Sequence, residues 1–200
     1  MFVLGQKTGR VLVAIAFAVG VPLIGNVVAA SAVEHLPLRT AIEARVAGAQ
    51  GITSPLGVLG TTAADLESFA AGYNAQRVEH GLATIPAGNF RYDACMEQRL
   101  FWMAEDPSDA VASAWGHLGS VRSDGVPSVG CDGNLAGGTG NTGESVATKW
   151  WNSPAHREAL YKPFFTGSLS SVCISFAMTH GGIPDEPVEF TRAAASWSAC

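Results

Sequence analysis

The chain predicts an α+β domain, and three features carry that prediction. Helix-start signals occupy the earlier part, two apolar runs of strand length close it, and 200 residues hold one domain of ordinary size. Helices that lead and strands that follow imply helices packed over a sheet, and no internal repeat is visible.

Thr62 opens the first helix. Its T-x-x-D spacing to Asp65 is a capping box, in which hydroxyl and carboxylate satisfy each other's backbone N–H. Leu66, Phe69, Ala70 and Tyr73 then recur at i, i+3, i+4 and i+7, and Gly81 closes the run. Asn74 and Arg77 stand three apart on the same surface, suited to bonding the backbone of an adjoining loop, with a solvated edge as the alternative. A second helix is expected over 92–105, where Cys95, Met96, Arg99, Phe101, Trp102 and Met103 give a broad apolar face. Asp106-Pro107 stops it, because a residue before proline is pushed out of the helical region.

Residues 115–130, WGHLGSVRSDGVPSVG, read as a loop with His117 near its start. Asn141, Thr142 and Glu144 start a third helix, with Glu144 placed to reach back to the cap, and the helix ends in Trp150-Trp151. Adjacent tryptophans on a helix face different directions, so one belongs to the core and the other can line a cavity. Ser153-Pro154 repeats the start signal, Ser153 as cap and proline at N1, and puts His156 on a first turn where the macrodipole favours neutral imidazole. The closing strands are 171–179 and 188–197, read as antiparallel neighbours.

Lys7 and Arg10 precede the apolar run 11–28, and Ala30-Ser31-Ala32 offers a signal-peptidase site, so residues 1–32 are expected to be a signal peptide. Residues 33–60 read as a linker or N-terminal arm and 61–200 as the domain. A secreted protein with no stable membrane span after cleavage follows, the alternative being a retained anchor. Without Lys7 and Arg10 the remainder carries ten basic and seventeen acidic residues, a net charge of −7 that argues against nucleic acid as partner. All four cysteines, Cys95, Cys131, Cys173 and Cys200, lie in the exported part and fit no zinc spacing, so two disulfides are expected. Three pairings are open; Cys95–Cys131 is favoured because it ties a helix to a following loop, which leaves Cys173–Cys200.

Several stretches resemble one known family. Trp150-Trp151-Asn152-Ser153-Pro154-Ala155-His156-Arg157 repeats the octet "W-x-N-S-P-x-H-R" almost letter for letter. Asn74 and Arg77 form an N-x-x-R pair, Trp115–Gly119 stands where an "S-H-T-G"-like turn is expected, and Asp132–Ala136 where "G-E-N-I-A" is expected. From about Asp65 onward the chain resembles the bacterial branch of the CAP superfamily, the group of cysteine-rich secretory, antigen 5 and pathogenesis-related 1 proteins.

The resemblance implies a three-layer α/β/α sandwich with a mainly antiparallel sheet, and a cavity lined by histidines and acids that sometimes holds a divalent metal. It carries His117 and His156 into that cavity, with Asn134, Trp150 and Ser153 around them; Asn74, Arg77 and the cysteines are structural. The departures thin the site. Gly133 replaces the glutamate before Asn134, Asp132 is one position early and in a strand would face the other way, and Ser153 stands where the eukaryotic branch has a second glutamate. The closing strand has no H-Y-T-Q histidine. No cofactor is therefore required, weak zinc binding through His117 and His156 is the most the set offers, and a glutamate at 133 is expected to strengthen it. With no G-x-S-x-G motif in the chain, the expected function is non-enzymatic binding of a lipid, sterol, cell-wall or other extracellular ligand. The alternatives are a divalent-metal-dependent hydrolase and a cell-surface module that recognises other extracellular proteins. His35, His80 and His180 are expected to be ordinary surface residues.

Overall fold

The computed structural model describes residues 49–108 and 115–200; the expected signal peptide, most of the arm and His35 lie outside the described residues. The first helix, α1 (Ala63–Glu79), begins as the capping box requires: Thr62 accepts from the Asp65 N–H at 3.2 Å and Asp65 accepts from the Thr62 N–H at 2.8 Å. It ends at Gly81, whose φ of 72° is the left-handed conformation that glycine adopts without a Cβ penalty. The second, α2 (Ala94–Ala104), is capped by Asp93, which accepts from Cys95 and Met96 N–H at 3.0 Å each.

The third, α3 (Gly143–Asn152), is capped by Thr142 and Ser145 rather than by Glu144. Ser145 occupies N3 and its hydroxyl accepts from the Thr142 N–H at 2.9 Å, while the Glu144 N–H donates to Ser68 at 3.0 Å. A short α4 (Pro154–His156) runs into a π-helical turn, Arg157–Tyr161, which Lys162 leaves at φ 41°.

Four strands follow the order β1-β3-β4-β2, namely β1 (Phe90–Tyr92), β3 (Val172–Gly182), β4 (Glu186–Ala199) and β2 (Asn134–Thr139). The fold is α+β as expected, but the sheet is mixed and not mainly antiparallel. β1 lies parallel to β3, with Phe90 opposite Ile174 and Tyr92 opposite Phe176, whereas β4 is antiparallel to both β3 and β2. Three residues are too few to show an alternating pattern, which is why the sequence hides β1.

Strand alternation sorts side chains between two cores. Ile174, Phe176 and Met178, with Ala193 and Ala195, join Phe69 and Tyr73 of α1 and Val146 and Trp150 of α3. Ala177 and Ala194 point the other way, onto Met96, Leu100 and Met103 of α2. Phe69 centres the first core: it stacks on Phe176 with centroids 4.2 Å apart and meets Tyr73, Phe90 and Trp150 edge-on at 5.7, 6.0 and 5.8 Å. The helices α1 and α3 touch backbone to backbone. A Cβ at Gly143 would lie 2.8 Å from the Phe69 Cα, and one at Gly72 would lie 2.5 Å from the Glu144 Cα.

The described part of the arm, 49–60, is tied to the domain. Ala49 and Val58 are buried, and Leu59 exchanges both backbone bonds with His180, at 3.2 and 2.8 Å. Thr61 follows: its hydroxyl donates to Met178 O at 3.0 Å and accepts from Met178 N–H at 2.9 Å, and its own N–H donates to the buried Glu97 at 2.6 Å. His180 is thus no ordinary surface residue, and its Nε2 also lies 3.0 Å from the Asp65 carboxylate.

Asp65 therefore serves helix, arm and sheet together. Burial raises its pKa, but bonds from His180 and from the Thr62 N–H and hydroxyl outweigh that and hold it below 3.8. A carboxyl lowered in the folded state stabilises the fold above its unfolded pKa and loses that contribution as pH falls through the folded one. Asp65→Asn should accordingly flatten the acid limb of stability as pH falls below about 5. Urea midpoints taken down that range check it, and parallel curves for the two proteins would contradict it.

Candidate functional site

The site grows from the junction of α2 and β2. Gly130, at φ 74°, sits against α2 where no side chain fits, since a Cβ would come 2.6 Å from the Arg99 N. Cys131 is bonded to Cys95, with Cα atoms 5.0 Å apart, and its N–H donates to Cys95 O at 2.9 Å. The other pair, Cys173–Cys200, closes the β3–β4 hairpin. Asp132 follows Cys131 directly and precedes β2, so strand alternation does not govern where it points.

Its carboxylate folds back onto the 115–130 loop. Oδ1 lies 2.7 Å from Nδ1 of His117 and accepts from the Gly133 N–H at 3.0 Å, and Oδ2 accepts from the Leu118 N–H at 3.1 Å. The expectation that His117 lacks a carboxylate is corrected: Asp132 orients it. The loop holds its own half of the pair through Ser120 N–H to His117 O at 3.0 Å and Gly119 N–H to the Ser128 hydroxyl at 2.8 Å. Partial burial raises the Asp132 pKa, but the bonds from His117, Leu118 and Gly133 outweigh it and leave the carboxyl below its ordinary range. An ionised carboxylate only accepts, so Nδ1 of His117 donates to it, and the tautomer with a single proton has its lone pair at Nε2. The imidazole is 66% exposed.

Gly133 is glycine for a steric reason. A Cβ there would lie 2.9 Å from the Ala195 carbonyl oxygen of β4, which is backbone and cannot swing aside. Gly133→Glu is therefore expected to destabilise the domain by about 1–3 kcal/mol rather than to complete a metal site. A lowered melting temperature with no gain in zinc affinity by calorimetry is the expected result; a stable, tighter-binding variant would contradict it.

Arg99 is fully buried. Its Nη2 reaches Gly130 O at 3.4 Å, its guanidinium sits 5.4 Å from the Trp102 ring centre, and its charge acts on Asp132. Its Nε and Nη1 have no hydrogen-bond partner among the described residues.

The remaining expected site residues have contacts of their own. Trp150 is core: it is buried and donates from Nε1 to Leu135 O at 3.1 Å. Asn134 opens β2 opposite Ala195 and is half-buried. Ser153 makes no capping bond; its hydroxyl lies 2.9 Å from Nδ1 of His156. Trp151 stacks on His80 at 4.3 Å with Arg157 5.6 Å over its ring, so His80 also has a partner. Asn74 bonds Ile85 at both its N–H and its carbonyl, each 2.9 Å, and Arg77 donates to Ala83 O at 2.6 Å and Tyr161 O at 2.8 Å.

Among the described residues no three His, Cys, Asp or Glu side chains come together as ligands, whereas catalytic zinc takes three from the protein. Nor does any hydroxyl or thiol among them bond to Nε2 of His117.

No family model, curated protein or solved structure matches the chain. What sequence reasoning missed at this site is Asp132 and Arg99. The signal for Asp132 was its place one residue before Gly133, directly after a cysteine bound to α2.

Proposed function

We propose that the chain is an exported CAP-type domain, a three-layer α/β/α sandwich, that binds a small apolar ligand of lipid, sterol or cell-wall origin without transforming it. The observation that carries the reading is a groove of about 320 Å³ over the outer face of α2. Pro55, Phe101, Trp102, Val126 and Val129 form its apolar walls, and Gln98, Glu105 and Arg122 supply polar groups. Apolar walls with a few placed polar groups are the usual make-up of a ligand site. Two cores on opposite faces of β3 and β4 support the layered fold, and two disulfides support an oxidising compartment. Among the described residues no helix is long and apolar enough to cross a membrane.

Val129 is 48% exposed, so a change there leaves the two cores untouched. Val129→Asp should weaken binding of a polarity-sensitive fluorescent fatty acid by roughly tenfold, on the scale of a charge placed in an apolar contact. Equal binding by both proteins would overturn the groove as the site.

A second reading rests on the His117–Asp132 pair, which is built as an oriented general base. It calls for turnover of a chromogenic ester that Asp132→Asn abolishes. Absence of any turnover by the unmodified protein would remove it.

A further inference from the structure

The turn after the π-helical segment carries the most exposed large apolar side chain among the described residues. Phe164 is 91% exposed and its neighbour Phe165 is 41% exposed. The turn is fixed in shape. Lys162 adopts φ 41°, Phe165 N–H donates to Lys162 O at 2.9 Å, and Phe165 packs edge-on to Trp197 at 5.3 Å. Beside the two rings lies a depression of about 250 Å³ lined by Glu158, Lys162, Pro163, Phe164 and Phe165.

Two exposed phenylalanines offer roughly 300 Å² of apolar surface, against about 800 Å² per partner in a stable protein interface. That is too little for a second copy or another protein, but insertion at a lipid interface uses a few side chains at a time. The charges choose the lipid. The depression holds one carboxylate and one ammonium beside the Phe165 ring, which match a headgroup with one phosphate and one quaternary ammonium: Lys162, whose ammonium also lies 5.6 Å from the Trp197 ring centre, for the phosphate, and Glu158 with the Phe165 ring for the ammonium. An anionic headgroup would meet Glu158 and a chain of net charge −5.

We propose that the 162–167 turn is a lipid-surface contact that inserts Phe164 and reads zwitterionic phosphocholine headgroups through Glu158 and Lys162. This contact is independent of the groove over α2.

The test uses the full chain with Phe164→Trp, a reporter at the tip itself. On vesicles of phosphatidylcholine brominated in the acyl chains, the variant should show quenching in excess of that of the unmodified protein's five tryptophans. The excess should fall at least severalfold on phosphatidylglycerol vesicles brominated in the same way, and should fall on phosphatidylcholine when Glu158→Gln is added. No excess quenching on phosphatidylcholine would overturn the contact. Equal quenching on the two lipids, or indifference to Glu158→Gln, would overturn the headgroup assignment. A blue shift without vesicles that disappears on dilution would assign the tip to self-association and overturn the proposal in that way. The fatty-acid probe with Val129→Asp reports on the groove separately, so failure of one assignment is distinguishable from failure of the other.

Discussion

Phe69→Ala should lower stability by about 3–5 kcal/mol, seen as a drop in melting temperature of roughly 10–20 °C. The side chain is fully buried and touches four other rings drawn from α1, β1, α3 and β3. Truncation leaves a void that the surrounding backbone cannot close, because α1 and α3 are already in contact at Gly72 and Gly143. Urea unfolding of the variant beside Phe69→Leu checks the mechanism, since leucine refills most of the volume and should recover more than half of the loss. A loss below about 1 kcal/mol for alanine would mean that the core does not turn on this residue.

Arg77→Ala should cost about 2–4 kcal/mol through a different route. The guanidinium is buried, serves the carbonyls of Ala83 and Tyr161, and lies 5.8 Å from the Trp197 ring centre. Removing it strands the Tyr161 carbonyl, which belongs to a buried residue. Arg77→Lys should recover only part, because one ammonium cannot reproduce the two-ended geometry of the fork. Denaturant midpoints of both variants read this directly, and equal stability of lysine and arginine at 77 would contradict it.

Helix starts were legible wherever the cap and its N3 partner are both polar and close, as at Thr62 and Asp65. At Thr142 the position was found but the partner was not, because a serine three residues on competes with the better-known glutamate. The long closing strands were legible from their apolar content, and they run further than their apolar stretches because Gly181, Gly182 and Glu186 extend the hairpin. Buried ions were not legible. Glu97 and Arg192 look like helix or strand surface in the sequence, and their partners explain their burial: the Thr61 N–H and the Tyr92 hydroxyl on Glu97, and Glu186 on both amino ends of Arg192 at 2.6 and 2.8 Å. The candidate site failed in the sequence for one reason. Asp132 was assigned a strand direction, and the strand begins two residues later.

The bonds that tie Leu59 and Thr61 to His180 and Met178 do more than hold the arm. β1 covers one side of β3 only from Ile174 to Phe176, and beyond it the same side is met by Thr61 and Leu59. The arm thus continues the work of a strand too short to finish it. Cut away at Thr62, it would leave Met178 and His180 with open amide and carbonyl groups along an apolar strand, a template on which a second chain can pair. The described end of that segment, 49–60, is an edge guard, and a fragment trimmed to the helices and strands would be expected to aggregate more readily than the longer chain.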